Sequence, residues 1–467
     1  MLPSFLTQCT PNDPGPEISY AGTVAIIGSG AAGLYVADIL RSKGIKVNVF
    51  EARDQIGGRI RSLRNQSTLR YPAIPQLSSE FPLELGAQTI IGTDSIMGKI
   101  FQDYRLAATE FPPDNNHFVL DNIVKSQTDW AGDADVQAAL TFRQNMESLA
   151  GSTLTAQQAI QAAGIGPRAY GMLNGQIGNA YGSDNDVVGI GELGEEEALR
   201  VGDGKILALR GNPLQDLLIS RFNAVQQFVR LNTPIASIDY SSDPIVLTSS
   251  GGATFEADKV IVTVPVSILK SEAMTFSPGL PGAFTSSLAK FGMGASMRAI
   301  IEFKKNFWGD TTGFILGSSN VPEFLSAGVG RSTFNATLSV TINGTKAEDY
   351  SDDGDAVIDS ILDDIDLLYA GQGTQFVRKL VDENGAETTN IFVREDWTTN
   401  EHILGGYSYP LAGATNDDRK AIGQPVSGKL FFAGEATDVT GQAGMVNGAL
   451  ASAERAAEEV VNSILNP

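Results

Sequence analysis

The chain has 467 residues, 50 of them glycine, and a formal charge of −21 from 33 Lys+Arg against 54 Asp+Glu. Its single cysteine, Cys9, and two histidines, His117 and His402, exclude an intrachain disulfide, a thiolate zinc site, an iron–sulfur cluster and a three-histidine metal site, while carboxylate-bound magnesium or calcium stays open. The acidic balance repels nucleic acid phosphates, so no nucleic acid partner is expected; it reads either as a solvated surface or as steering of cationic substrates.

No run of 18 apolar residues occurs, so no transmembrane helix is expected. Leu2 to Cys9 is largely apolar and precedes a Pro/Asn/Asp/Gly stretch from Pro11 to Pro16. It is similar to the tail of a bacterial lipoprotein export signal with Cys9 as lipidation site, although Gln8 stands where a small residue is usual. On that reading the protein is extracytoplasmic, periplasmic or membrane-anchored. The alternative is a leader in which Cys9 has no role, and a cytoplasmic protein. Asn-X-Ser/Thr sequons at Asn65, Asn335 and Asn343 occur near chance frequency.

From Thr23 the pattern becomes specific. Val24–Ile27 is a short apolar run, as for a strand buried on both faces. Gly28-Ser29-Gly30-Ala31-Ala32-Gly33 follows, then a helix over Leu34–Ser42 ended by Gly44, then a strand over Lys46–Phe50 closed by Glu51. In this order Gly28 permits the tight turn, Gly30 admits a pyrophosphate against the backbone, and Gly33 lets helix and strand pack. The free amides at the helix start face phosphates, and Glu51 is spaced to bind a ribose and to disfavour a 2′-phosphate.

The next residues, Ala52-Arg53-Asp54-Gln55-Ile56-Gly57-Gly58-Arg59-Ile60-Arg61, resemble the second half of the bipartite FAD fingerprint of the flavin-containing amine oxidase superfamily, which includes monoamine oxidases and L-amino acid oxidases. Near the other end, the strand Leu430–Ala433, Gly434-Glu435-Ala436-Thr437 and the segment Gly441–Leu450 resemble that family's C-terminal motif, leading into a small-residue helix over Val446–Ile464. Val229–Ile235 and Ala257–Pro265 are similar to its adenine-side strands.

The resemblance implies an α/β fold. An FAD-binding Rossmann-like domain of the glutathione reductase type takes residues 21–93, 201–270 and 400–467. An α+β substrate-binding domain takes 94–200 and 271–399, after a leader of 1–20. Within the latter, Val136–Leu149 reads as helical. Asp355–Tyr369 reads as an amphipathic helix whose acidic residues face solvent.

By the same resemblance FAD, bound non-covalently, contacts Gly28, Gly30, Ala32, Gly33, Glu51, Ala52, Arg53, Gly57, Gly58, Arg59, Gly86, Ala87, Gln88, Ile235, Val264, Trp397, Gly434, Glu435, Gly444, Met445 and Val446. Glu435 or its backbone holds the ribityl–phosphate chain, and Arg59 lies by the flavin or pyrophosphate. The reaction centre falls at Trp397, Tyr407, Met445 and Arg298. Tyr407 aligns with the first ring of the monoamine oxidase aromatic pair, but Met445 takes the place of the second. Arg298 stands where the family carries a lysine tied to oxygen reactivity, and arginine suits a substrate carboxylate instead. Gln88 and Thr89 stand where many L-amino acid oxidases hold a carboxylate-binding arginine. No cysteine lies near Tyr407 to bond flavin covalently; His402 is the remaining candidate.

The chemistry so implied is hydride transfer from an amine to flavin N5. The imine formed hydrolyses to an aldehyde or ketone plus ammonia or amine, with O2 as acceptor giving H2O2. An L-amino acid oxidase, a dehydrogenase or desaturase with another acceptor, and a flavoprotein without activity remain as alternatives. Substrate identity and oligomeric state are left open.

Overall fold

The structure, a computed structural model, describes residues 17–63, 81–332 and 335–466; Cys9 and Asn65 lie outside them. Thr23–Ile27 sits at the centre of a five-stranded parallel sheet. Lys46–Phe50 and Lys259–Val262 flank it, with Val229–Arg230 and Leu430–Phe432 at the edges. Both faces of the central strand are covered, so it has no side on which a polar residue would be solvated. One face packs on Ala31–Ser42 and on the C-terminal helix Val446–Leu465, sharing Leu34, Ala37, Leu40, Leu450, Ala453 and Ala457. The other side builds a second core from Val260, Val262 and Phe432 with Ile238 and Leu247 of a four-stranded sheet.

A seven-stranded mixed sheet forms the other half. Its order is Phe392–Asp396, Ser296–Glu302, Thr337–Asn343, Glu323–Ser326, Phe314–Leu316, His117–Leu120, Ile123–Ser126. Thr337–Asn343 alternates polar and apolar, yet every residue in it is buried. Leu338, Val340 and Ile342 pack with Ile358, Ile361 and Ile365 of the helix Val357–Tyr369. Alternation along the strand sends Thr337, Ser339, Thr341 and Asn343 to the opposite face.

Packing departs from the expected boundaries. Met97, Ile100 and Phe101 of the helix Ile96–Asp103 join the core of the parallel sheet, and Ala108–Glu110 pairs with Ile206–Leu209. Phe284, Leu288 and Phe291 belong to the second core of that same half. Helically spaced apolar side chains and strand pairing thus hold segments from 96–110 and 284–291 beside the glycine-turn half, though both follow a predicted boundary. The 136–149 stretch is a helix over Ala134–Gln144 and a separate 3₁₀ turn over Met146–Leu149. Asp364 corrects the expectation of a solvated acidic face: it is buried and accepts from Asn320 Nδ2, and burial pushes its carboxyl up. Asn335 and Asn343 are buried too, so neither sequon is accessible in the folded chain.

Glu84 joins two distant segments. It accepts from Leu214 N at 2.8 Å and from Ser62 Oγ. Burial pushes its carboxyl up to about 7 from an ordinary 4.5, against the pull of those hydrogen bonds. Between these values the folded chain keeps a proton that the unfolded chain has lost, so stability falls as pH rises through this window. Wild type should therefore lose roughly 3 kcal/mol more than Glu84→Gln between pH 4.5 and 7.5. Urea unfolding at the two pH values measures it, and equal losses in both proteins would contradict it.

Candidate active site

A cavity of about 680 Å³ opens where the carboxyl ends of the parallel strands face the seven-stranded sheet. Two helices begin on its wall. Ala31–Ser42 starts at Gly30 and Val446–Leu465 at Met445, and neither start carries a side-chain cap. Early amides of both helices therefore keep their donors, and both dipoles turn their positive ends to the same space.

The glycine turn shows two separate reasons for glycine. A Cβ on Gly33 would lie 2.0 Å from Gly28 O, so this glycine serves helix–strand packing, and it does not line the cavity. That corrects its expected place among the ligand contacts. A Cβ on Gly30 would meet only Gly58 Cα, at 3.8 Å. The fold has room for a methyl there, and that methyl would take up cavity space. Glu51 is fixed beside this turn, its Oε2 accepting from Ser29 N at 2.8 Å and Ser29 Oγ at 2.7 Å, its Oε1 from Arg53 N at 3.0 Å. Ala32, Ala52, Arg53, Gly57 and Gly58 continue this wall, with Ile235 and Val264 across from the neighbouring strands.

The far wall carries Tyr407, Met445, Trp397 and Arg298. Tyr407 Oη lies 3.1 Å from both Asn179 O and Ala180 O, to which it donates, and accepts from Asn343 Nδ2 at 3.0 Å. Its ring packs between Gly182 and Gly444, where Cβ atoms would approach to 3.0 and 3.2 Å. Burial pushes the phenol up, so it stays protonated. Trp397 Nε1 donates to Leu85 O at 2.9 Å, which presents the indole to the cavity from beneath Gly86, Ala87 and Gln88.

Arg298, Thr341 and Glu323 form a cross-strand row, since Thr341 is the register partner of both others. Paired residues of antiparallel strands share a face, and all three line the cavity. Thr341 Oγ1 donates to Glu323 Oε1 at 2.8 Å. Ser339 Oγ accepts from Arg298 Nη1 at 3.4 Å and donates to Gln88 Oε1 at 2.9 Å. Burial pushes the Glu323 carboxyl up while Arg298 pulls it back; burial likewise pulls the Arg298 guanidinium down while Glu323 supports it.

A sequence profile described as "Flavin containing amine oxidoreductase" matches residues 31–165 and 194–461. The chain belongs to that family. It is 24% identical to the mouse (Mus musculus) lysine-specific histone demethylase 1B over 91% of this chain and 51% of that protein, so it spans about half the demethylase's length. It is 25% identical to polyamine oxidase 3 of Oryza sativa subsp. japonica over 94% of this chain and 89% of that one. Cyclohexylamine oxidase from Brevibacterium oxydans IH-35A shares its fold with a TM-score of 0.78 at 19% identity, covering 96% of this chain and 100% of that one. A putrescine oxidase bound to putrescine does so with a TM-score of 0.76 at 17% identity, covering 94% and 99%.

The family's flavin cofactor fits the cavity described. The space at Gly30 and the uncapped start of Ala31–Ser42 suit a pyrophosphate, Glu51 suits a ribose, and the uncapped start at Met445 and Val446 suits an electron-rich ring edge. The structure sharpens the expectations for Glu435 and Arg59. The Glu435 carboxylate is taken up by Ser408 N, Ser408 Oγ, Gly444 N and Arg59, and the Gly434 amide donates to Ser452 Oγ, which leaves the Glu435 backbone amide, of the two expected alternatives, to serve the cofactor. Arg59 Nη1 donates to Glu435 Oε1 at 2.9 Å and to Gly406 O at 2.8 Å, so the arginine ties two walls together while lining the space.

Glu323, Thr341 and Asn343 escaped the sequence reading. The signal for Thr341 and Asn343 was the alternation of Thr337, Ser339, Thr341 and Asn343 in a strand with no solvent-facing side; Glu323 stands in another strand and left none. Arg419 and Glu196, also on the cavity wall, left no signal in the sequence, since only the fold joins their helices.

The Gly30 argument predicts that Gly30→Ala keeps the melting temperature of the flavin-free protein but weakens flavin binding by at least about tenfold. Flavin titration by fluorescence quenching reads the affinity. An alanine variant that binds as well as wild type would contradict it.

Proposed function

We propose that the protein is an FAD-dependent oxidase of a small amine, with FAD held non-covalently and oxygen as acceptor. The observation that carries this is the convergence of two uncapped helix starts on one cavity whose remaining wall is Tyr407, Met445 and the Arg298–Thr341–Glu323 row. When bound, FAD supplies a two-electron acceptor for the C–H bond next to nitrogen. The protein supplies the rest. Tyr407, pinned by Asn343, Asn179 and Ala180, is a rigid surface against which the amine carbon is held. Met445, on the same wall, is adaptable and apolar, and helps exclude water. Glu323, with Thr341, offers acceptors for a second ammonium group, which fits relatives named as polyamine oxidases and the fold-mate with putrescine.

A second reading, oxidation of an amino acid, draws on Arg298. Its Nη1 hydrogen bond to Ser339 is long at 3.4 Å, and a substrate carboxylate would improve on it.

Anaerobic bleaching of the bound flavin separates the two. Diamines and simple amines should bleach it and α-amino acids should not. Glu323→Gln should raise KM for a diamine about tenfold and leave a monoamine within about twofold. Peroxide release under air tests the acceptor. Bleaching by amino acids alone, lost in Arg298→Met, would establish the second reading and overturn the first.

A further inference from the structure

We propose that Arg419 is a positioning residue for the reacting face of the site: it fixes Ser408, through Ser408 the Glu435 carboxylate, and so sets where Tyr407 and the Met445 turn stand. The proposal rests on the flavin reading above.

Arg419 lies on the helix Asn416–Ile422 and is among the most deeply buried large side chains, at 1% exposure. Its guanidinium has two sides with different partners. On one, Nε pairs with Glu192 and lies 3.1 Å from Glu196 Oε1, both carboxyls one turn apart on the helix Ile190–Leu199. On the other, Nη1 donates to Ser408 Oγ at 3.1 Å and to Ala436 O at 3.2 Å. The Phe291 ring lies 4.6 Å from the guanidinium carbon. Burial, and Glu192 beside it, push the Glu196 carboxyl well up. Arg419 and Arg200 act against that rise.

The fork then reaches the site in two further bonds. Ser408 Oγ donates to Glu435 Oε2 at 2.6 Å and Ser408 N to Oε1 at 3.1 Å. Gly444 N donates to the same Oε2 at 2.9 Å, one residue before Met445. Tyr407 stands between Ser408 and Gly406, whose carbonyl is held by Arg59. Tyr407 and Met445 are each adjacent in the chain to a group held by this network. A lysine keeps the charge but cannot serve Glu192 and Ser408 in the same plane.

The test uses the flavin-loaded protein with Arg419→Lys, Ser408→Ala and the double variant, one amine substrate, and the visible flavin band. Each single change should lower kcat about tenfold with KM within about twofold, and shift the band. The double variant should be no slower than the slower single, because the two residues act as one unit. Losses that multiply in the double variant would overturn the proposal. So would variants whose kcat and band match wild type while only the melting temperature falls. If Arg419→Lys does not fold, Ser408→Ala decides by itself: slower turnover with a shifted band supports the relay, and wild-type kcat and band overturn it. A wild-type protein that takes up no flavin fails the underlying reading instead, which keeps the two failures distinct.

Discussion

The site depends on one buried carboxylate. Glu435 accepts from Ser408 N, Ser408 Oγ, Gly444 N and Arg59. Burial alone would push its carboxyl up, but Arg59 and the Ser408 hydrogen bond outweigh this and hold it below the ordinary range. A buried charge is tolerable only with such a set of partners. Here the partners come from the second glycine turn, the Tyr407 strand and the loop before the C-terminal helix. Satisfying one side chain thus brings together segments that lie hundreds of residues apart in sequence.

The net charge of −21 is not carried into the cavity. Glu435 is paired with Arg59, Glu51 has Arg53 at 3.8 Å, and Glu323 sits in one row with Arg298. The acid excess therefore lies mainly outside the cavity, whose lining acids each have a basic neighbour.

The cofactor half was legible because its chemistry lives in short contiguous motifs. Gly28 to Gly33 with Glu51 specifies strand, turn, helix and acid inside one βαβ unit, and the structure places Gly30, Ala32 and Glu51 on the cavity. Gly33 keeps the packing role the motif gives it, and only its place among the cofactor contacts is corrected. The Glu435 motif lies on the cavity wall, but its carboxylate turns to the protein, which no motif encodes. The substrate wall was less legible for a physical reason. Arg298, Thr341 and Glu323 meet across three strands, so no sequence window holds them together. What the sequence did contain was a strand alternating like a half-exposed one but buried on both sides, and only the fold shows that the polar face has no water to explain it.

The parallel sheet has a consequence for how the chain comes to hold its cofactor. Its strands are drawn from residues 23–50, 229–262 and 430–432, and the second helix start comes at 446. During synthesis from the N-terminus the glycine turn emerges early, yet the strand beside Lys259–Val262 and the second set of amides emerge only after the intervening four hundred or so residues. A nascent chain can therefore present one phosphate-binding turn but not a closed pocket. Cofactor capture becomes a late step, and retention of the cofactor reports that the far ends of this span have met.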